Sequence, residues 1–318
     1  MLKKISDIGI VPVIKINDVE KAVPLAKALI DGGLPIAEIT FRTEAAEEAI
    51  KRVSEAFPEM LVGAGTVLTI EQAQRAKNAG AKFIVSPGFN PKVVSWCLEN
   101  DIIPTPGCTS PTEIEQALEL GLKVVKFFPA EQSGGIDKIK ALSAPYGNLK
   151  FIPTGGIGLD NLTTYITNKK ILACGGSFMV KEDYIENGEW DKITELTKKA
   201  VSIMLGFEID HIGVNTADAA EASCVAVKFA KAFGGIETSE GNSSFWAGKI
   251  IEIMKGKGKG VNGHIAIKTN SVDRAVYHLK AQGIEFDESS ALFNADGSMK
   301  VIFFKDEIAG FALHLLQK

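Results

Sequence analysis

Short apolar, β-branched runs punctuate the first two hundred residues, beginning near Ile8, Ile36, Leu61, Phe83, Ile102, Val124, Phe151 and Ile171. Each is followed by a segment with apolar positions at helical spacing; 19–32, 44–57 and 112–121 are examples, and they stop near Gly or Pro. Eight strand–helix units, repeating roughly every 20 to 28 residues, imply parallel strands. Closed on themselves, such units predict an α/β fold, a (β/α)8 TIM barrel. An open doubly wound sheet is the competing arrangement, but no GxGxxG follows the first run, so its usual mark is missing.

The pattern changes after Leu205-Gly206, where an internal repeat begins. His211-Ile212-Gly213-Val214-Asn215-Thr216 matches His264-Ile265-Ala266-Ile267-Lys268-Thr269, and a helical stretch follows each, at 218–233 and 272–282. Near the end of each copy, Ala247-Gly248-Lys249-Ile250-Ile251-Glu252-Ile253-Met254 aligns with Ala309-Gly310-Phe311-Ala312-Leu313-His314-Leu315-Leu316. The expectation is a domain over 1–205 and a C-terminal α+β domain over 206–318, built from two βαβββ modules. Gly256-Lys257-Gly258-Lys259-Gly260 joins the modules and reads as a turn rather than a basic patch.

Composition narrows the function classes. At 46% apolar and 23% charged residues the chain is an ordinary globular protein, and a net charge of −4 gives no reason to expect nucleic acid or an anionic membrane as partner. Cys97, Cys108, Cys174 and Cys224 form no CxxC pair, which suits a reducing cytoplasm. The N-terminal apolar run is broken by Asp7, Pro12 and Lys15, so it is not a signal peptide, and no later run is long enough to span a membrane.

The chemistry-bearing residues fall at the ends of the predicted strands, where barrels place their active sites. Lys126 lies inside Val124-Val125-Lys126-Phe127-Phe128-Pro129-Ala130. A lysine so surrounded loses hydration, which lowers its pKa and frees the amine to attack a carbonyl; the bland alternative is a lysine that snorkels to water. Glu38 sits between Ala37 and Ile39 in a strand buried on both faces, where a carboxylate needs a partner or a role. Arg42 and Thr66 end neighbouring strands. Gly155-Gly156 and Gly176-Ser177 follow the seventh and eighth runs, the loops at which barrels often bind phosphate, although Gly-Gly is also a common turn.

The ordered motifs AEITFRT, GAGTV, SPG, KFFPA, PTGGI and GGS make residues 5–205 resemble the 2-keto-3-deoxy-6-phosphogluconate (KDPG) and 4-hydroxy-2-oxoglutarate (KHG) aldolase family. The resemblance implies a class I aldolase that uses no cofactor and acts on a 2-keto acid. Lys126 would be the Schiff-base lysine and Glu38 the general acid/base. Arg42 and Thr66 would hold the substrate carboxylate, and Gly155, Gly156, Gly176 and Ser177 its phosphate. A homotrimer is expected from the same resemblance. Pro106-Gly107-Cys108-Thr109-Ser110-Pro111 departs from the commonest version of its loop.

Duplication sets His211 and His264 on equivalent first strands, and Glu252 and His314 on equivalent last strands. Imidazoles and a carboxylate suit Zn²⁺, Fe²⁺, Mn²⁺ or Ni²⁺. Residues 207–317 resemble the glyoxalase/bleomycin-resistance/dioxygenase superfamily, which implies a divalent metal held by these four side chains; His314 stands where a carboxylate is usual. The C-terminal domain then reads either as a metal-dependent isomerase, lyase or oxygenase, or as a non-catalytic small-molecule-binding module.

Overall fold

A computed structural model describes the whole chain, Met1–Lys318, as two compact units, Met1–Met204 and Leu205–Lys318. In the first unit the strands are β1 (Ile10–Ile14), β2 (Ile36–Thr40), β3 (Leu61–Gly65), β4 (Phe83–Val85), β5 (Ile103–Thr105), β6 (Val124–Phe127), β7 (Lys150–Pro153) and β8 (Cys174–Gly176). Ladders run parallel in the order β5-β4-β3-β2-β1-β8, and β6 and β7 pair separately. Single bridges, Gly107 to Lys126 and Thr154 to Gly175, join the two arcs, so hydrogen bonding passes round all eight strands. Strand interiors are buried throughout, as at Ile36–Thr40 and Leu61–Gly65, because helices cover a parallel sheet.

The helices carry their own start signals. Ser110 caps Pro111–Glu119 in a reciprocal capping box with Glu113, and Asn90 caps Pro91–Glu99, each with Pro in the first turn. Helix Ala46–Ala56 buries Ala46, Ala49, Ile50 and Val53, the three-and-four spacing of one helical face. One expectation changes at the N-terminus. Ile8 does not open the first strand but ends a helix, Leu2–Ile8, which buries Ile5 and Ile8. Gly9, at φ 81°, then turns the chain into β1.

The second unit is a sheet of β9 (Glu208–Val214), β10 (Thr238–Glu240), β11 (Ser244–Ala247), β12 (Ile251–Met254), β13 (Gly263–Thr269), β14 (Phe286–Phe293), β15 (Met299–Phe304) and β16 (Phe311–Gln317). Its order is β10-β11-β12-β9-β13-β16-β15-β14, with helices Ala219–Ala232 and Val272–Ala281 each following the first strand of a half. The two halves meet along the antiparallel β9–β13 pair. Sidedness follows the two-residue period of a strand. Ile212, Val214, Ile251 and Ile253 pack with Ala222 and Ala226 of the first helix. The residues between them face the other way. No helix of the chain is long and apolar enough to cross a membrane.

Candidate active site and candidate metal centre

Glu38 and Lys126 come from strands 88 residues apart and meet inside the barrel, Lys126 Nζ lying 3.2 Å from Glu38 Oε1. Both are almost fully buried, Glu38 at 3% and Lys126 at 5% exposure, so the lysine does not snorkel. Their surroundings are apolar: Ile5, Val11, Phe83, Val85 and Ile152 line a cavity of about 10 Å³ beside them, with Thr105 as its one further polar residue. The Phe128 ring lies 5.3 Å from the ammonium. Backbone bonds from Lys126 N–H to Pro106 and from Cys108 N–H to Lys126 fix this strand against the segment after β5.

Glycines make the room. A Cβ at Gly65 would lie 2.3 Å from Glu38 Oε1, and one at Gly63 would lie 2.3 Å from the Phe83 ring. The GAG segment is therefore glycine, alanine, glycine because its two outer residues yield space to a carboxylate and an aromatic ring. Thr66 follows at φ 56°, a left-handed conformation unusual for a β-branched residue. Its Oγ1 accepts a bond from Arg42 Nε at 3.1 Å, which joins the ends of β2 and β3.

Gly155 and Gly156 follow β7 with φ of 100° and 80°, and Gly176 with Ser177 ends β8. The Thr154–Gly175 bridge sets these two strand ends side by side. Gly175 must be glycine here, since a Cβ would lie 2.2 Å from Thr154 Oγ1. Thr105 is a buried residue that the sequence reading missed; its hydroxyl bonds to no protein group. Only its place at a strand end marked it.

On the open face of the second unit, three of the four expected ligands converge. His211 Nε2 lies 3.1 Å from His264 Nε2, Glu252 Oε2 lies 3.1 Å from His264 Nε2, and His211 Nε2 is 3.4 Å from the same oxygen. All three donor atoms fall within 4.8 Å of one another. Register explains the convergence. Glu252, Gly213 and His264 stand in one cross-strand row, and His211, Ala266 and His314 in another. Gly213 has no side chain, and a Cβ there would lie 2.0 Å from the His264 ring, so the imidazole reaches over it toward Glu252. Two imidazole nitrogens and a carboxylate oxygen so placed fit a borderline divalent cation.

His314 stands beside this group rather than within it. Its ring centroid is 5.7 Å from that of His211 and 5.4 Å from that of His264, and it stacks on Phe303 at 4.6 Å. Its Nδ1 is buried without a partner. Burial first, then His264 and His211, hold its pKa down to about 4. Glu252 lies below the usual carboxylate range because His264 and Ser244 hydrogen-bond to it, against the opposing effect of burial. Ser244, Trp246 and Asp210 contact the group and were not singled out by the repeat: Ser244 Oγ donates to Glu252 at 2.7 Å, and the Trp246 ring meets His211 edge-on at 5.2 Å. A cavity of about 500 Å³ lies against Phe303 and Ala312.

A lysine and a carboxylate buried together among the apolar strands of an α/β unit suit amine attack on a carbonyl, the chemistry of a Schiff-base aldolase. More narrowly, the chain belongs to the KDPG and KHG aldolase family, whose match covers residues 2–196. The 2-dehydro-3-deoxy-phosphogluconate aldolase of Treponema pallidum (strain Nichols) is 50% identical over 197 residues, 62% of this chain and 94% of that protein. The KHG/KDPG aldolase of Escherichia coli (strain K12) is 42% identical over 192 residues, 60% of this chain and 90% of the relative. KDPG aldolase from Legionella pneumophila, solved with pyruvate captured as a covalent carbinolamine, superposes with a TM-score of 0.61 at 37% identity, over 63% of this chain and 98% of that one.

Proposed function

We propose that the barrel unit is a class I aldolase that cleaves KDPG to pyruvate and glyceraldehyde 3-phosphate, with KHG, giving pyruvate and glyoxylate, as a second substrate. The observation that carries this reading is the buried Lys126–Glu38 contact of 3.2 Å. Glu38 takes a proton from the lysine, and the free amine attacks the C2 carbonyl carbon. Glu38 returns that proton to the carbinolamine hydroxyl, which leaves as water, so a protonated imine and a free carboxylate remain. Glu38 then accepts the proton of the C4 hydroxyl, the C3–C4 bond breaks, and its electron pair moves to form an enamine on Lys126. The aldehyde departs, C3 is protonated, and water releases pyruvate. Because the imine receives the electron pair, the cleavage needs no metal.

Arg42 and Thr66, joined across two strand ends, bind the carboxylate end of the substrate in this reading. Gly155, Gly156, Gly176 and Ser177 receive the phosphate through backbone approach at two adjacent strand ends. Borohydride reduction with pyruvate, followed by peptide mapping, tests the proposal: a pyruvate adduct on Lys126 supports it, and a folded protein without adduct sinks it. A homotrimer in the cytoplasm goes with the same reading, and sedimentation and cell fractionation check both.

For the second unit the reading is a glyoxalase-like cup in which His211, Glu252 and His264 hold a divalent cation, supported by their donor atoms lying within 4.8 Å of one another. When bound, the cation would supply a Lewis acid. His314, whose ring lies beside those of His211 and His264, would face a small molecule at that centre. Metal analysis after dialysis against Zn²⁺ tests it: one ion per chain supports the cup, and none leaves a metal-free binding module.

A further inference from the structure

The halves of the second unit are duplicated in sequence, yet one departure from that symmetry falls at the metal-binding cluster. Along β9 and β13 the register runs Ala266 to His211 and then Ile267 to Ile209, so Asp210 has no cross-strand partner and forms a β-bulge. Consecutive residues of a regular strand point to opposite faces. The bulge cancels that alternation: Asp210 Oδ2 lies 2.7 Å from Nδ1 of the adjacent His211. The other Asp210 oxygen accepts from the Lys268 ammonium. In the second half the residue before His264 is Gly263, and β13 pairs with β16 without a break, so His264 has no such buttress.

We infer that Asp210 is the positioning residue of the cluster: it holds His211 with its proton on Nδ1 and thereby aims the Nε2 lone pair at the point shared by His264 and Glu252. The inference rests on the reading of these three side chains as cation ligands. Imidazole binds a metal through one unprotonated nitrogen, and the hydrogen bond made by the other nitrogen decides which one is free. With Asp210 removed, nothing in β9 selects the tautomer, and the ring is free to turn toward Trp246. His211 is then the anchoring ligand, and His264, which lies over Gly213, is the adaptable one.

The test uses the full-length protein. Nitrogen NMR of the imidazoles at alkaline pH, where the rings are neutral, reads the tautomer directly. The expected wild-type spectrum has His211 protonated at Nδ1, and the Nε2–H form would overturn the proposal. Asp210→Asn, folded by circular dichroism, is expected to mix the tautomers and weaken Zn²⁺ binding about 10- to 100-fold. Lys268→Met removes the ammonium but leaves the Asp210–His211 contact. It is expected to keep the tautomer and lose far less affinity. Equal losses in the two variants would reduce Asp210 to an ion-pair partner and overturn the assignment. Failure of the metal reading has a different signature: wild-type protein that binds no Zn²⁺ while His211 keeps its Nδ1 proton overturns the cation reading and leaves only the Asp210–His211 contact standing.

Discussion

Each unit of this chain buries a carboxylate against nitrogen bases, but the two do so in opposite ways. In the barrel, Glu38 meets one amine, and apolar side chains surround both. On the duplicated sheet, Glu252 meets two imidazoles, with a third ring beside them. A single amine next to a single proton acceptor can lose its proton to that acceptor and form a covalent bond. Several lone pairs converging within a few ångströms instead repel unless a proton or cation lies among them. Placement differs as well. The barrel pair depends on strands far apart in sequence, whereas the second group sits where the first strands of two similar halves pair.

The sharpest way to break the comparison is Lys126→Arg, which keeps the charge but cannot form the imine. Cleavage of KDPG is expected to fall to the background rate, with no borohydride-trapped adduct. Glu38→Gln separates the two steps: kcat is expected to drop about 10²- to 10⁴-fold, while slow trapping of pyruvate on Lys126 persists. Gly65→Ala sharpens the same point without touching either residue, because its Cβ would lie 2.3 Å from the Glu38 oxygen. It is expected to lower kcat more than it raises KM. In the cup, His264→Ala removes a convergent donor and is expected to weaken Zn²⁺ by more than the about 10- to 100-fold that outer partners contribute, as calorimetry would report.

The smallest effect concerns stability. Burial pushes the Glu113 carboxyl up, but bonds from the Thr109 and Ser110 backbone and hydroxyls outweigh it and hold the pKa below its ordinary 4.5. A depressed folded-state value means that the stabilisation is complete above about 4.5 and is lost as pH falls through the folded value. Glu113→Gln is therefore expected to cost about 1 kcal/mol in denaturant unfolding at neutral pH. The gap to wild type should close in acid.

Much of this was legible in the sequence for physical reasons. Lys126 and Glu38 stood out because charges inside apolar runs require an explanation, and the three convergent ligands were marked by the repeat. Asp210 was not legible: a bulge is a property of two paired strands, and neither strand announces it alone. Thr105 was hidden because a threonine at a strand end looks like any β-former. Ile8 was misread as strand because a short buried helix and a short buried strand show the same apolar residues. His314 occupied the right row of the sheet, but its ring packs on Phe303 instead of joining the triad.

Gly213 gives the duplicated unit an unusual mutational reach. The equivalent position in the other half is Ala266, fully buried under the same face. Glycine and alanine codons differ by a single base, so one nucleotide separates a sheet whose donors meet from one in which a methyl group pushes the His264 ring aside. A Gly213→Ala change would thus displace the His264 ring while all three donor residues remain encoded. Residue 213, which carries no donor atom itself, therefore decides whether the three donor atoms can meet.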